Sequence, residues 1–142
     1  ILISSFTAAI ATSLTVSQLS SSVKGLEDLP NVRVATLANS ASSVFLRKEN
    51  IGFKRLESVE KGLSQLASGD LDAFVYDKPI LQYLTKNNFD DSILILPEVI
   101  ERQDYAIALP ENSAQREKIN TALLRVIETD EWQEIVDHYL GK

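Results

Sequence analysis

From Leu26 onward the spacing of apolar residues switches back and forth between two periods. "NVRVATL" is rich in β-branched residues and predicts a strand, and the following "SASSVFLRKEN" predicts a helix. "GFKRLES" predicts a short strand; "SVEKGLSQLASG" then predicts a helix with Ser58 as its N-cap and Gly69 at its end. A buried strand follows in "LDAFVYD", a helix with Pro79 in its first turn in "KPILQYLTKN", and another strand in "DSILILP". Helices of roughly ten residues used as crossovers between strands indicate an α/β layer on a largely parallel sheet. The alternation breaks at "ERQDYAIALP", a strand directly after a strand. Two helices, "SAQREKINTALLRVIET" and "DEWQEIVDHYLG", then close the chain with no strand to return to. Such helices pack on something other than this sheet, as on a second lobe.

Ahead of that body the pattern is different. Ile1 through Ser22 carry no charge, and Ile1–Val16 is apolar and rich in small residues. As a helix this segment would rise about 24 Å, short of the roughly 30 Å hydrocarbon core of a bilayer, and so predicts the last part of a membrane helix. Ser4, Ser5, Ala8, Ala9, Ala11, Thr12 and Ser13 would let such a helix approach others closely. A helix buried in a soluble core fits the same hydropathy, and a secretory signal peptide lacks its basic start here. "SQLSSSVKG" after it has linker composition and closes at Gly25, so that the body begins near Leu26.

Composition narrows the function classes. The chain's 142 residues suffice for one ordinary domain but not for two separate cores, and the absence of methionine suggests a fragment or processed product. Fourteen Lys and Arg against 20 Asp and Glu leave a net charge of −6, which repels phosphate backbones and excludes nucleic acid as the expected partner. There is no cysteine for a disulfide or thiolate site, and the one histidine, His138, falls among helix-type residues where it reads as solvent-facing. No metal set, Walker loop, GxGxxG, GxSxG or HExxH is present, so neither cofactor nor catalysis is expected. The pairs Asp70 with Asp72 and Asp90 with Asp91 sit at turns, where carboxylates are solvated or cap helices.

Binding has better candidates. "VATLANSASS" places a strand, a short polar turn and a helix start in succession; the helix-start N–H groups and the positive dipole end form an anion site, unless Ser40 or Ser42 merely caps the helix. Asp77 ends the apolar strand "DAFVY" at the carboxyl edge, where open α/β sheets bind ligands. Its carboxylate suits an ammonium group; its alternative role is N-cap of the helix beginning at Lys78.

These residues resemble the second lobe of type II periplasmic amino-acid-binding proteins and the homologous ligand-binding core of ionotropic glutamate receptors. The family's strand, Gly-Ser-Thr turn and helix is similar to "TLANSASSVFL", its "GDLDA" followed by an acidic residue to "SGDLDAFVYD", and its hinge strand "YGIALPKGS" to "YAIALPENS". The opening "SFTAAIATSLTV" resembles the receptors' SYTANLAAFLTV signature at the end of a membrane helix, with Ser5, Thr7, Ala8, Ala11, Leu14, Thr15 and Val16 in frame. It departs at Phe6, Ala9, Thr12 and Ser13, and with the missing cysteines this suggests a prokaryotic member.

The resemblance implies an α/β fold: a type II binding-protein lobe with a mostly parallel sheet flanked by helices, plus C-terminal helices of the other lobe and a membrane-helix remnant. Residues 1–16 would be the end of the gate helix, 17–25 a linker, 26–103 the ligand-binding lobe, and 104–142 a hinge strand and helices packing on the first lobe. It implies a ligand-gated channel, homotetrameric when intact, in the cell membrane with its ligand-binding domain outside. Thr7, Ala8 and Ala11 would form the gate. Asp77, Asn39, Ser40, Ala41, Ser42 and Tyr105 would hold an amino acid such as glutamate, with Ala41 standing where the family has a hydroxyl residue. The alternatives are a soluble amino-acid-binding subunit of an ABC transporter and a dehydratase-like enzyme on the same fold.

Overall fold

A computed structural model describes residues 2–17, 23–89 and 92–141. In chain order the elements are β1 (Leu2–Ser17), a 3-10 turn (Leu26–Asn31), β2 (Val34–Leu37), α1 (Ala41–Lys48), β3 (Lys54–Leu56), α2 (Val59–Ala67), β4 (Ala73–Asp77), α3 (Lys78–Asn88), β5 (Ile93–Leu109), α4 (Arg116–Ile127) and α5 (Asp130–Leu140). The strands form one sheet of order β3-β2-β4-β1-β5. β2 runs parallel to β3 and β4, as crossover helices require, and β1 runs antiparallel to β4.

The chain divides into two compact units, one of Ala11–Glu101 and one of Ile1–Ile10 with Arg102–Lys142, so that β1 and β5 each contribute to both. In the first unit the period-2 alternation of the strands feeds two cores. Val34, Ala73 and Val75 join Leu46 of α1 and Val16 of β1 in one cluster; Ala35 and Phe74 join Val59, Leu63 and Leu66 of α2 and Leu81 of α3 in the other. The sheet is therefore buried on both faces, as parallel sheets are. α2 approaches β4 closely because Gly62 has no side chain: a Cβ there would lie 2.5 Å from Phe74 Cε2. Ser58 caps α2 as its sequence predicts, accepting from Lys61 N at 3.2 Å, and Gly69 ends the segment at φ +79°. The second unit is different: neither α4 nor α5 has a buried residue.

Two expectations are corrected. Of Ile1–Val16, expected as the end of a membrane helix, the described residues from Leu2 onward lie in the strand β1. Its β-branched residues favour an extended chain, and β4 offers its second edge, pairing from Thr12↔Asp77 to Val16↔Ala73. The buried Thr15 hydroxyl adds a bond to Phe74 O at 3.0 Å. Among the described residues no helix is long and apolar enough to cross a membrane. The strands expected separately in "DSILILP" and "ERQDYAIALP" are one 17-residue strand, β5. Pro97 is accommodated because β5 ends the strand order, and an edge strand has a side that needs no N–H donor. Residues 18–22 of the expected linker, and Asp90 with Asp91, lie outside the described residues.

Candidate functional site at the carboxyl edge of β2 and β4

Because β2 and β4 are parallel neighbours, the helix starts that follow them, those of α1 and α3, emerge at the same edge of the sheet. After β2 the chain turns through Ala38, Asn39 and Ser40. Ala38 N donates to Leu56 O at 3.2 Å, tying the turn to β3. Asn39 takes a left-handed conformation, φ 58°, which asparagine tolerates better than most residues. Ser40 is the N-cap: its Oγ accepts from Ser43 N at 3.0 Å and donates to Leu37 O at 2.8 Å.

The Ser40 hydroxyl is thus spent on capping. What the helix start retains are the N–H groups of Ala41 and Ser42, its first two positions, which have no intrahelical acceptor. The dipole adds positive potential there, and Arg47 and Lys48 in the last turn complement its other end. Asn39 and Ala41 are exposed and Ser40 half-buried, whereas Ser42 is buried and its hydroxyl has no hydrogen-bond partner among the described residues. The Ser42 hydroxyl is therefore not an accessible group at this edge.

Asp77 ends β4 and occupies the N-cap position of α3, half-buried, but its side chain makes no capping hydrogen bond to that helix. Beside it, burial and then the Asp77 charge push the Tyr76 phenol above its ordinary pKa.

Thr36, which its sequence context does not single out, links the two strands. Its buried hydroxyl donates to Val75 O at 2.7 Å and lies 3.3 Å from Ser40 Oγ. The only signal for it is a hydroxyl between Ala35 and Leu37 in an otherwise apolar strand.

At the opposite end of β4, Asp72 accepts from Arg33 through both carboxylate oxygens, at 2.9 Å from Nε and 2.7 Å from Nη2, and from Arg33 N at 2.8 Å. The guanidinium holds the Asp72 carboxyl below its usual pKa. This carboxylate ties the chain ahead of β2 to the chain ahead of β4. Among the described residues no group of His, Asp and Glu is placed to hold a metal ion.

No family model matches the sequence. The kainate-type ionotropic glutamate receptor glr-3 of Caenorhabditis elegans is 26% identical over 155 residues, an alignment covering 98% of this chain and 18% of the receptor. The GluR0 ligand-binding core from Nostoc punctiforme, solved in complex with L-glutamate, superposes with a TM-score of 0.77 at 28% identity, covering 99% of this chain and 64% of that core. The chain is a homologue of the ionotropic glutamate receptors. An ancestral arginine-binding protein bound to glutamine has the same fold, with a TM-score of 0.71 at 26% identity over 94% of this chain and 61% of that one. The receptor homologue therefore has the architecture of a type II periplasmic-binding-protein lobe.

Within this homologue Asn39, Ser40, Ala41, Ser42 and Asp77 all fall in the unit Ala11–Glu101, on two adjacent strand ends. Tyr105 belongs to the other unit, on the later half of β5, and is 44% exposed. Thr7, Ala8 and Ala11 lie on β1. His138 is exposed on α5, its ring edge-on to Tyr139 at 5.0 Å.

Proposed function

We propose that this chain supplies one lobe of a bilobed amino-acid-binding domain in a glutamate-receptor-like channel. The observation that carries the reading is the placement, at one edge of the sheet, of a helix start with two amides lacking intrahelical acceptors beside the strand end that carries the Asp77 carboxylate. An α-amino acid with a distal acid carries the matching charges. Asp77 takes the ammonium group, whose charge must be paired once water is excluded. The Ala41 and Ser42 amides, in the turn begun by Asn39 and Ser40, take the distal carboxylate. The family resemblance adds Tyr105 to the ligand contacts. With no side-chain hydroxyl at Ala41, glutamate binds with less preference over glutamine or serine than a hydroxyl at that position would give.

The uncovered apolar positions of α4 and α5 support a place for these helices on a first lobe. Lobe closure on the ligand pulls through the linker 17–25 on a gate at Thr7, Ala8 and Ala11 in a membrane-bound homotetramer with the binding domain outside the cell. The resemblance of Ser5–Val16 to the receptor signature supports that coupling. Titration calorimetry on the intact protein tests the site: Asp77→Ala should weaken glutamate binding about tenfold or more, the loss of one partner of a desolvated charge pair. Retained affinity with a lowered melting temperature would make Asp77 a structural residue only.

A second reading, a soluble amino-acid-binding subunit of a transporter, is favoured by one observation: Leu2–Ser17 forms a sheet strand paired with β4. Planar-bilayer recording separates the two. Glutamate-evoked current that changes when Ala8 is replaced by a bulky residue supports the channel, and a protein that binds glutamate but dissolves without detergent and passes no current supports the subunit.

A further inference from the structure

The end of β4 that leads to Asp77 is held from both sides by buried hydroxyls. Thr15 of β1 donates to Phe74 O at 3.0 Å and Thr36 of β2 to Val75 O at 2.7 Å, and both threonines are 0% exposed. The backbone pairing of β2 with β4 covers Val34↔Ala73 and Ala35↔Phe74. One residue further on, the link between the strands is the Thr36 side chain.

A hydroxyl has one hydrogen and two acceptor lone pairs. Val75 O can only accept, so the Thr36 hydrogen is committed to it, whereas the Ser40 hydrogen can be shared between Leu37 O at 2.8 Å and the free lone pair of Thr36 Oγ1. The 3.3 Å contact of Thr36 Oγ1 and Ser40 Oγ is then a hydrogen bond in which Thr36 accepts. Ser40 has two acceptors within reach, and Thr36 has its direction set by β4. The turn that begins α1 is therefore referenced, through one buried oxygen, to the strand that ends in Asp77.

Resting on the amino-acid site proposed above, we infer that Thr36 is a positioning residue that sets the span between the site's anion-binding turn and its Asp77 carboxylate, and so selects the length of the bound acidic amino acid. Thr15 is the matched control. It makes the same kind of buried bond to the same strand but has no link to the Ser40 turn.

The test measures glutamate and aspartate affinities of the intact protein. Thr36→Val, which keeps shape and removes the hydroxyl, should lower the glutamate-to-aspartate affinity ratio about fivefold, the worth of one hydrogen bond. Thr36→Ser should return the ratio to that of the parent. Thr15→Val should lower the melting temperature to a similar degree and leave the ratio unchanged. A ratio unmoved in Thr36→Val, or moved equally in Thr15→Val, overturns the inference; Thr36→Ala carries the same test if the valine variant does not fold. Should the parent bind neither amino acid, the proposed function falls, and the inference is read from backbone amide resonances instead. Thr36→Val must then shift those of Ala41 and Ser42 and Thr15→Val must not; unmoved resonances overturn it.

Discussion

Phe74 and Leu124 are both large apolar side chains inside regular elements, yet Phe74 is 0% exposed and Leu124 is 58% exposed. The contrast holds for the units that contain them. In Ala11–Glu101 every strand of the parallel core has helices to cover it, and the buried hydrophobics from Val16 to Leu96 all lie there. In the other unit Val126, Ile135 and Tyr139 are 47%, 44% and 53% exposed. α5 nonetheless carries Trp132, Ile135, Val136, Tyr139 and Leu140 at the spacing of a single helical stripe. An amphipathic helix is written into the residues of both units, but only one unit also holds the surface its stripe requires. The difference teaches that helical pattern and burial are separate facts: the first is local, and the second needs a partner.

The largest effect should come from emptying the closed core. Phe74→Ala is expected to cost about 3–5 kcal/mol in urea denaturation, the usual range for removing a fully buried aromatic. A loss below about 1 kcal/mol would mean that this core is not what holds the unit together. Overfilling the same place should cost less. Gly62→Ala puts a Cβ 2.5 Å from the Phe74 ring, and the strain should amount to about 1–3 kcal/mol.

In the open unit the same kind of truncation should be nearly silent. Leu124→Ala is expected to change stability by under about 0.5 kcal/mol in this chain. If α4 packs on a first lobe, as proposed, the same substitution in a longer protein that includes that lobe should cost several times more, and equal costs in both would sink that part of the proposal. The smallest effect concerns Asp72, whose carboxyl the Arg33 guanidinium holds below its ordinary pKa. A depressed folded-state pKa contributes stability above the unfolded value and loses it as pH falls through the folded one. Acid unfolding monitored below about pH 4 should therefore show a shallower stability loss in Asp72→Asn than in the parent. The difference should be small because Arg33 is 58% exposed and solvent screens the pair.

Much of the site was legible in the sequence because its parts are local. The strand, turn and helix of "VATLANSASS" are set by neighbours a few residues apart, and Ser40 caps α1 through a bond to Ser43 N. Asp77 was found for the same reason, as the residue that ends an apolar strand ahead of Lys78 and Pro79. What the pattern did not show is how these groups are used. Whether Ser40 offers its hydroxyl or spends it, whether Asp77 caps α3, and whether Ser42 is exposed are decided by contacts at the helix starts. Thr36 was invisible because its partner, Val75 O, is 39 residues away.

The same division holds for the fold. By itself the sequence determined the alternation of elements from Leu26 to Asn88, the cap at Ser58, and the amphipathic character of the last two helices. Each depends on periodicity or on hydrogen bonds within one turn, and those energies belong to the local chain. Only the tertiary structure decided that Leu2–Ser17 is extended and that Ile93–Leu109 is one strand across Pro97. An apolar, uncharged segment satisfies its backbone groups as well in a helix as in a ladder. The choice falls to whether a strand edge is available beside it, and here β4 presents one from Ala73 to Asp77.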